Sequence, residues 1–143
     1  MVKLTLDERK LVEYARGRVL EICESRKGKG LYDVTVAFVL SDGGNVYEGI
    51  PLELPSGTGF CAERHAIANM VLNETEKAKI KILLVAGPVP EPQTKPITPC
   101  GACRTAINEF GTEETTILCS EFIRKDDGWE IFPKIWKFNP WER

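Results

Sequence analysis

Two short stretches of this chain each put cysteines where a helix begins. "FCAERHAI", residues 60–67, sets Cys61 and Glu63 two positions apart, and "TPCGACRTAI", residues 98–107, adds Cys100 and Cys103 at a C-x-x-C spacing. Apolar residues at helical spacing follow both, so these thiols stand at or near helix amino ends. There the positive end of the helix dipole lowers a thiol's pKa and favours the thiolate. A fold that uses all three must bring two helix starts face to face, and this requirement narrows the choice of architecture more than any other feature.

Composition decides what such a cluster is for. At 143 residues, 43% of them hydrophobic, the chain is expected to form a single domain, residues 1–143, around one core. A domain of this size buries roughly two thirds of its unfolded surface, so it needs neither disulfides nor a metal merely to hold together. A metal would then serve chemistry. Five cysteines cannot all pair within one chain, and "MVKLTLDERK" lacks the apolar stretch of a secretory signal. Reduced thiols, a cytoplasmic location and metal binding are the expectation. A formal charge of −2 offers no footprint for a polyanion, so no nucleic acid is expected as partner. No apolar run reaches the length of a membrane span, so no membrane is expected either.

Along the chain, Thr5 with Glu8 makes a capping box that starts a helix carrying Leu11, Tyr14, Ala15, Val19 and Ile22 on one stripe, with Gly28 and Gly30 as the stop. "LYDVTVAFVL", the turn "SDGGN" and "VYEGIPLEL" read as a hairpin ending at or before Pro51. Ala62, Ala66, Ile67, Met70 and Val71 mark a second helix, and "KIKILLVAG" a buried strand. The five prolines of "PVPEPQTKPITP" predict an ordered loop or lid. "GACRTAINEFG" reads as a third helix, "TTILCS" as a strand with Cys119, and "WEIFPKIWKFNPWER" as an aromatic tail. This order suits an α/β sheet with helices on both faces, its early hairpin antiparallel and its later strands parallel.

Zinc takes thiolates tetrahedrally, and a catalytic zinc keeps three protein ligands and one position open to water. Cys61, Cys100 and Cys103 supply the three. Three thiolates and one dication sum to −1, which makes a bound water less acidic than histidine ligation would. Arg64 and Arg104 each follow a site residue, and their guanidinium groups could offset that charge by donating to the sulfurs. Glu63 shares the first turn with Cys61 and is placed to move protons between water, a ring nitrogen and a leaving amine. That chemistry is hydrolytic deamination.

A C-x-E followed by P-C-x-x-C is the zinc deaminase pattern. Here Cys61, Glu63, Pro99, Cys100 and Cys103 fill it, and the chain resembles the cytidine deaminase family in its small all-cysteine type, where "CAER" and "PCGACR" occur nearly as written. The resemblance extends over most of the chain. It implies a three-layer α/β/α cytidine deaminase-like fold with a five-stranded mixed sheet, a Zn2+ cofactor and a homotetramer whose sites are completed across subunits. It also implies conversion of a cytosine-type 4-amino group to a carbonyl, on a small aminopyrimidine nucleoside. In the family's pattern Ala62 and Pro99 help hold the amino group through their backbone, and Glu53 fits the carboxylate that holds the sugar. Pro51 stands where the family has an asparagine for the sugar hydroxyls. Branches that act on blasticidin S also lack that asparagine, which keeps such a substrate as the alternative. The tail from Phe138 to Trp141 resembles the segment that closes a neighbouring site in such tetramers.

Plainer readings compete. A non-enzymatic zinc module on the same fold would close its metal with Cys23, Cys119 or His65 as fourth ligand. Cys23 and Cys119 otherwise read as small buried hydrophobes, and His65 as a packing or interface residue. Editing of polynucleotides would need a basic channel.

Overall fold

The structure is a computed structural model and describes residues 2–26, 35–51, 61–95, 101–126 and 128–140, without the side chains of 101–103. The first helix, α1 (Leu6–Arg26), starts on the expected capping box. Thr5 N–H donates to Glu8 Oε1 at 2.8 Å and Glu8 N–H to Thr5 Oγ1 at 3.2 Å. Lys137 Nζ also reaches the buried Glu8 Oε1, at 2.7 Å, and ties the box to a residue near the far end of the chain. Thr5→Ala removes one of the two capping bonds and is expected to destabilise the protein by about 1 kcal/mol, measured by urea unfolding with an unchanged slope.

The buried face of α1 is Leu11, Val12, Ala15, Val19, Ile22 and Cys23. Tyr14, read as part of that stripe, is 46% exposed. Its ring meets Phe38 edge-on at 6.1 Å, and its hydroxyl donates to Glu48 Oε2 at 2.8 Å. A phenol can keep an apolar edge inward and its polar tip in water, which hydropathy spacing alone does not distinguish from burial.

Strands β1 (Val36–Ser41) and β2 (Val46–Gly49) form the antiparallel hairpin. Gly44 takes φ +87 in its turn, a conformation glycine adopts without steric cost. Then come α2 (Ala62–Glu74), a short 3-10 turn (Thr75–Lys77), β3 (Ile80–Val89), α3 (Gly101–Phe110), β4 (Gly111–Lys125), β5 (Gly128–Ile131) and β6 (Trp136–Phe138). The sheet order is β2-β1-β3-β4-β5, a mixed path of five strands, and β6 pairs with β4 as a sixth. Among the described strands β3 and β4 are the parallel pair; β1 with β3, and β4 with β5 and with β6, are antiparallel.

Alternation along the strands divides the core in two. Val36, Phe38, Ile82, Leu84, Ala86, Leu118 and Phe122 pack with α1. Ala37, Val39, Leu83, Val85, Ile117 and Cys119 face the other way and pack with Ala62, Ala66, Ile67 and Met70 of α2 and Ile107 of α3. The layers are therefore one helix, the sheet, and two helices.

Two segments differ from expectation. Pro88 and Val89, read as the start of a loop, continue β3 and pair with Phe122 and Ile123. Among the described residues the ladder between β1 and β3 runs from Ser41 with Ile80 to Val36 with Ala86, and Pro88, which has no N–H to donate, lies past that paired stretch. The aromatic tail is also partly sheet: Trp136 pairs with Cys119 and Phe138 with Ile117. The segment from Phe138 to Trp141, expected to close an adjacent site, falls partly outside the described residues. So does the helix stop at Gly28 and Gly30. Among the described residues no helix is long and apolar enough to cross a membrane.

Candidate active site

Cys61 is the residue before α2, in extended conformation at φ −76 and ψ 158. Its carbonyl accepts the first helical bond from His65 N–H, at 3.1 Å, which makes it the N-cap. Helices prefer Ser, Thr, Asp or Asn there. A half-buried thiol at that position gives up the usual oxygen cap and places a sulfur at the positive end of the helix. Ala62, Glu63 and Arg64 follow at once in the first turn. Ala62 is buried, and Glu63 is only 6% exposed. A carboxylate at that end of the dipole is favourably placed, and its burial shields it from bulk water.

Beneath this turn runs a row of residues no larger than valine. Gly49 pairs with Ala37, Ala37 with Val85, and Val85 with Cys119, across four strands. The end of β2 presses directly on the helix. A Cβ on Gly49 would lie 2.3 Å from the Ala62 oxygen and 2.4 Å from the Ala66 nitrogen, the two ends of one helical hydrogen bond. At the far end of the row Cys119 is fully buried, and its thiol is pushed up to about 12, first by burial and then by the Glu63 carboxylate. Glu63 thus lies within electrostatic reach of the sheet floor.

Cys119 therefore remains a thiol at neutral pH, and with its sulfur buried it should resist iodoacetamide in the native protein at pH 8 while reacting once the chain is unfolded. Peptide mass spectrometry reads both states. Raising the native pKa from 9.0 to about 12 makes the sign definite. The contribution to stability is whole below pH 9 and is lost as pH climbs toward 12. Alkaline unfolding should shift upward in Cys119→Val.

The third helix meets the same face. Ile107 is buried, and Ala106 and Phe110 pack against the cluster that holds Ala62 and Ala66. At its far end α3 passes into β4 at Gly111, which pairs with Ile80 at the start of β3. α3 therefore runs back along β3, and its first turn, which contains Cys103, lies toward the carboxyl end of that strand. α2 enters β3 through the short 3-10 turn in the same sense. Both helix starts lie toward the carboxyl ends of the parallel pair β3 and β4, where open α/β sheets place their sites.

Of the expected site residues, Cys61, Ala62, Glu63 and Arg64 stand in succession at the head of α2, and Arg104 is exposed on α3. Cys103 is in the first turn of α3, its side chain outside the described set; Glu53, Pro99 and Cys100 lie outside the described residues. Pro51, half-buried, ends the described segment that leads toward Glu53.

Two neighbours of the site, Gly49 and Glu121, were not singled out in the sequence, and a third, Cys119, was read only as a small buried hydrophobe or a fourth metal ligand. Gly49 and Cys119 end the row just described. Glu121, two residues beyond Cys119 on β4, is 1% exposed and accepts Gln93 N–H at 3.2 and 3.4 Å through its two carboxylate oxygens. It anchors the proline-rich segment that leads toward Cys100. Period-two alternation from Cys119 was the available signal for its inward side. Buried glutamate is uncommon, so composition argued against it.

A model of the cytidine and deoxycytidylate deaminase zinc-binding region matches residues 10–119. A cytidine deaminase of Mycoplasma pneumoniae is 37% identical over 105 residues, 71% of this chain and 74% of that protein. Among solved structures, a cytidine deaminase from Burkholderia pseudomallei superposes with a TM-score of 0.60 at 20% identity, over 87% of this chain and 91% of that one. One from Mycobacterium leprae gives 0.50 at 19%, over 90% and 94%. The structural likenesses establish the three-layer fold; the matched region includes both cysteine motifs.

Proposed function

This chain belongs to the cytidine and deoxycytidylate deaminase family, and from that premise we propose that it hydrolyses the 4-amino group of cytidine or a closely related nucleoside, releasing ammonia. The observation that carries the reading is the buried Glu63 in the first turn of the helix that Cys61 caps. The donor set suits zinc, the metal of the matched region. Cys61, Cys100 and Cys103 are soft ligands, and two of them are placed by helix starts on one face of the sheet. When bound, zinc supplies a water acidified enough to act as nucleophile near neutral pH.

The rest falls to the chain. Glu63 would take one proton from the attacking water and pass it to ring nitrogen N3 as the oxygen bonds to C4. It would then take the proton of the resulting C4 hydroxyl and deliver it to the amine as the bond from C4 to nitrogen breaks, so that ammonia departs and a carbonyl remains. Ala62 and Pro99 hold the amino group through backbone groups, and Glu53 binds a sugar hydroxyl. Arg64 and Arg104 donate toward the thiolates and offset their excess negative charge. Pro51 has no side-chain donor or acceptor, so it adds nothing to sugar recognition.

The proposal extends to a single domain over residues 1–143 that works as a cytoplasmic homotetramer on free nucleosides and not on polynucleotides; sedimentation should find four chains per particle. The decisive assay follows the ultraviolet change on loss of the 4-amino group with cytidine, 2′-deoxycytidine and blasticidin S. Consumption of the first two with equimolar ammonia is expected, and blasticidin S should remain. Zinc-loaded protein that deaminates neither nucleoside overturns the reading.

A further inference from the structure

Among the described strands β2 is the edge of the sheet, and the outward backbone groups of an edge strand recur at every second residue and need partners. α2 supplies them. Asn69 Nδ2 donates to the Glu48 carbonyl at 2.8 Å, and His65 Nδ1 lies 3.2 Å from the Ile50 nitrogen and 3.1 Å from its oxygen. Between them Gly49 lets the two backbones meet without a side chain. Three consecutive residues, Glu48 and Gly49 at the end of the strand and Ile50 just past it, thus meet the helix whose first turn carries Glu63.

The His65 tie is tolerant of tautomer. With Nδ1 bare it accepts Ile50 N–H; with Nδ1 protonated it donates to the Ile50 carbonyl. One of the two bonds forms in either state. A side chain used only for packing would not need a polar atom aimed at the backbone of the last residues before Pro51, and Glu53 follows Pro51 by two positions in the chain.

We propose that His65 is a positioning residue: together with Asn69 it fixes the strand leading to Glu53 against the catalytic helix, and so sets the distance between sugar recognition and the reacting amino group. This rests on the deaminase reading above. Pro51 makes the arrangement more consequential, because with no side-chain polar group there the sugar end depends on where the following residues are held.

The test compares wild type, His65→Ala, His65→Gln, Glu53→Gln and the double variant His65→Ala/Glu53→Gln in cytidine deamination, with zinc content and Tm measured on each. His65→Ala should raise KM about tenfold with kcat within about threefold of wild type and zinc retained. His65→Gln, whose amide can donate or accept, should restore KM to within about threefold. In the Glu53→Gln background His65→Ala should add little, because the two act on one interaction. An unchanged KM in His65→Ala, an equal loss in kcat, or effects that multiply independently would each overturn the proposal. Should His65→Ala not fold, Asn69→Ala carries the same test: a several-fold rise in KM that vanishes in the Glu53→Gln background supports it, and no rise overturns it. Wild-type protein inactive on every nucleoside overturns the functional reading and this inference together, whereas an active wild type with an indifferent His65→Ala overturns the inference alone.

Discussion

Glu63→Gln is expected to lower kcat by about a thousandfold while leaving the zinc content and the fold as they are. Glutamine has nearly the same shape, so the packing of a side chain only 6% exposed is preserved. What it loses is the ability to take a proton and give it back. In the proposed mechanism both transfers fall to this one group, first to N3 and then to the departing amine, so its replacement should stop both. KM for cytidine should change by much less than kcat, which separates proton transfer from binding. A variant that keeps a tenth or more of wild-type turnover would move the relay to another residue.

Gly49→Ala is expected to be nearly as damaging, by a different route. The added methyl would stand 2.3 Å from the Ala62 oxygen and 2.4 Å from the Ala66 nitrogen, closer than any real contact allows. Both are backbone atoms of a helix, so neither can swing aside as a flexible side chain would. The strand and the head of α2 must separate. Over-packing of this kind destabilises by about 3 kcal/mol, which for a chain of this length corresponds to a fall in Tm of roughly 8 °C. Because the displaced turn holds Cys61 and Glu63, activity should fall even below the unfolding transition. Normal Tm with normal turnover would show that the contact is not made.

Much of this was legible in the chain itself, where chemistry and local rules coincide. Cys61 and Glu63 announced a helix start because the thiol precedes an apolar helical repeat, and the structure makes Cys61 the N-cap. The capping box of Thr5 and Glu8 formed as read. Alternation gave the two faces of the central strands, and the order of elements gave the layers.

What escaped depended on partners far along the chain. Pro88 counted as a loop residue because proline cannot serve a central ladder, yet it continues β3 opposite Phe122, past the described β1 pairs. The tail read as aromatic, with no strand in it, since Trp136 and Phe138 declare themselves a strand only once β4 is there to pair with. Nothing in "VYEGIPLEL" marks Gly49 as special. Its role comes from the helix backbone on the other side, and no pattern within β2 records that neighbour. Nor did Cys119 show any relation to Glu63, which arises through register between β3 and β4 and the helix lying over them.

The central claim is that three cysteines from two helix starts hold one zinc beside Glu63. It is tested most directly by elemental analysis of purified wild type, Cys61→Ala and Cys103→Ala, measured alongside cytidine turnover. The account predicts one zinc per chain in the wild type, and loss of both metal and activity in each variant at retained helix content. Active wild type free of zinc, or either variant holding a full complement of it, would contradict the account.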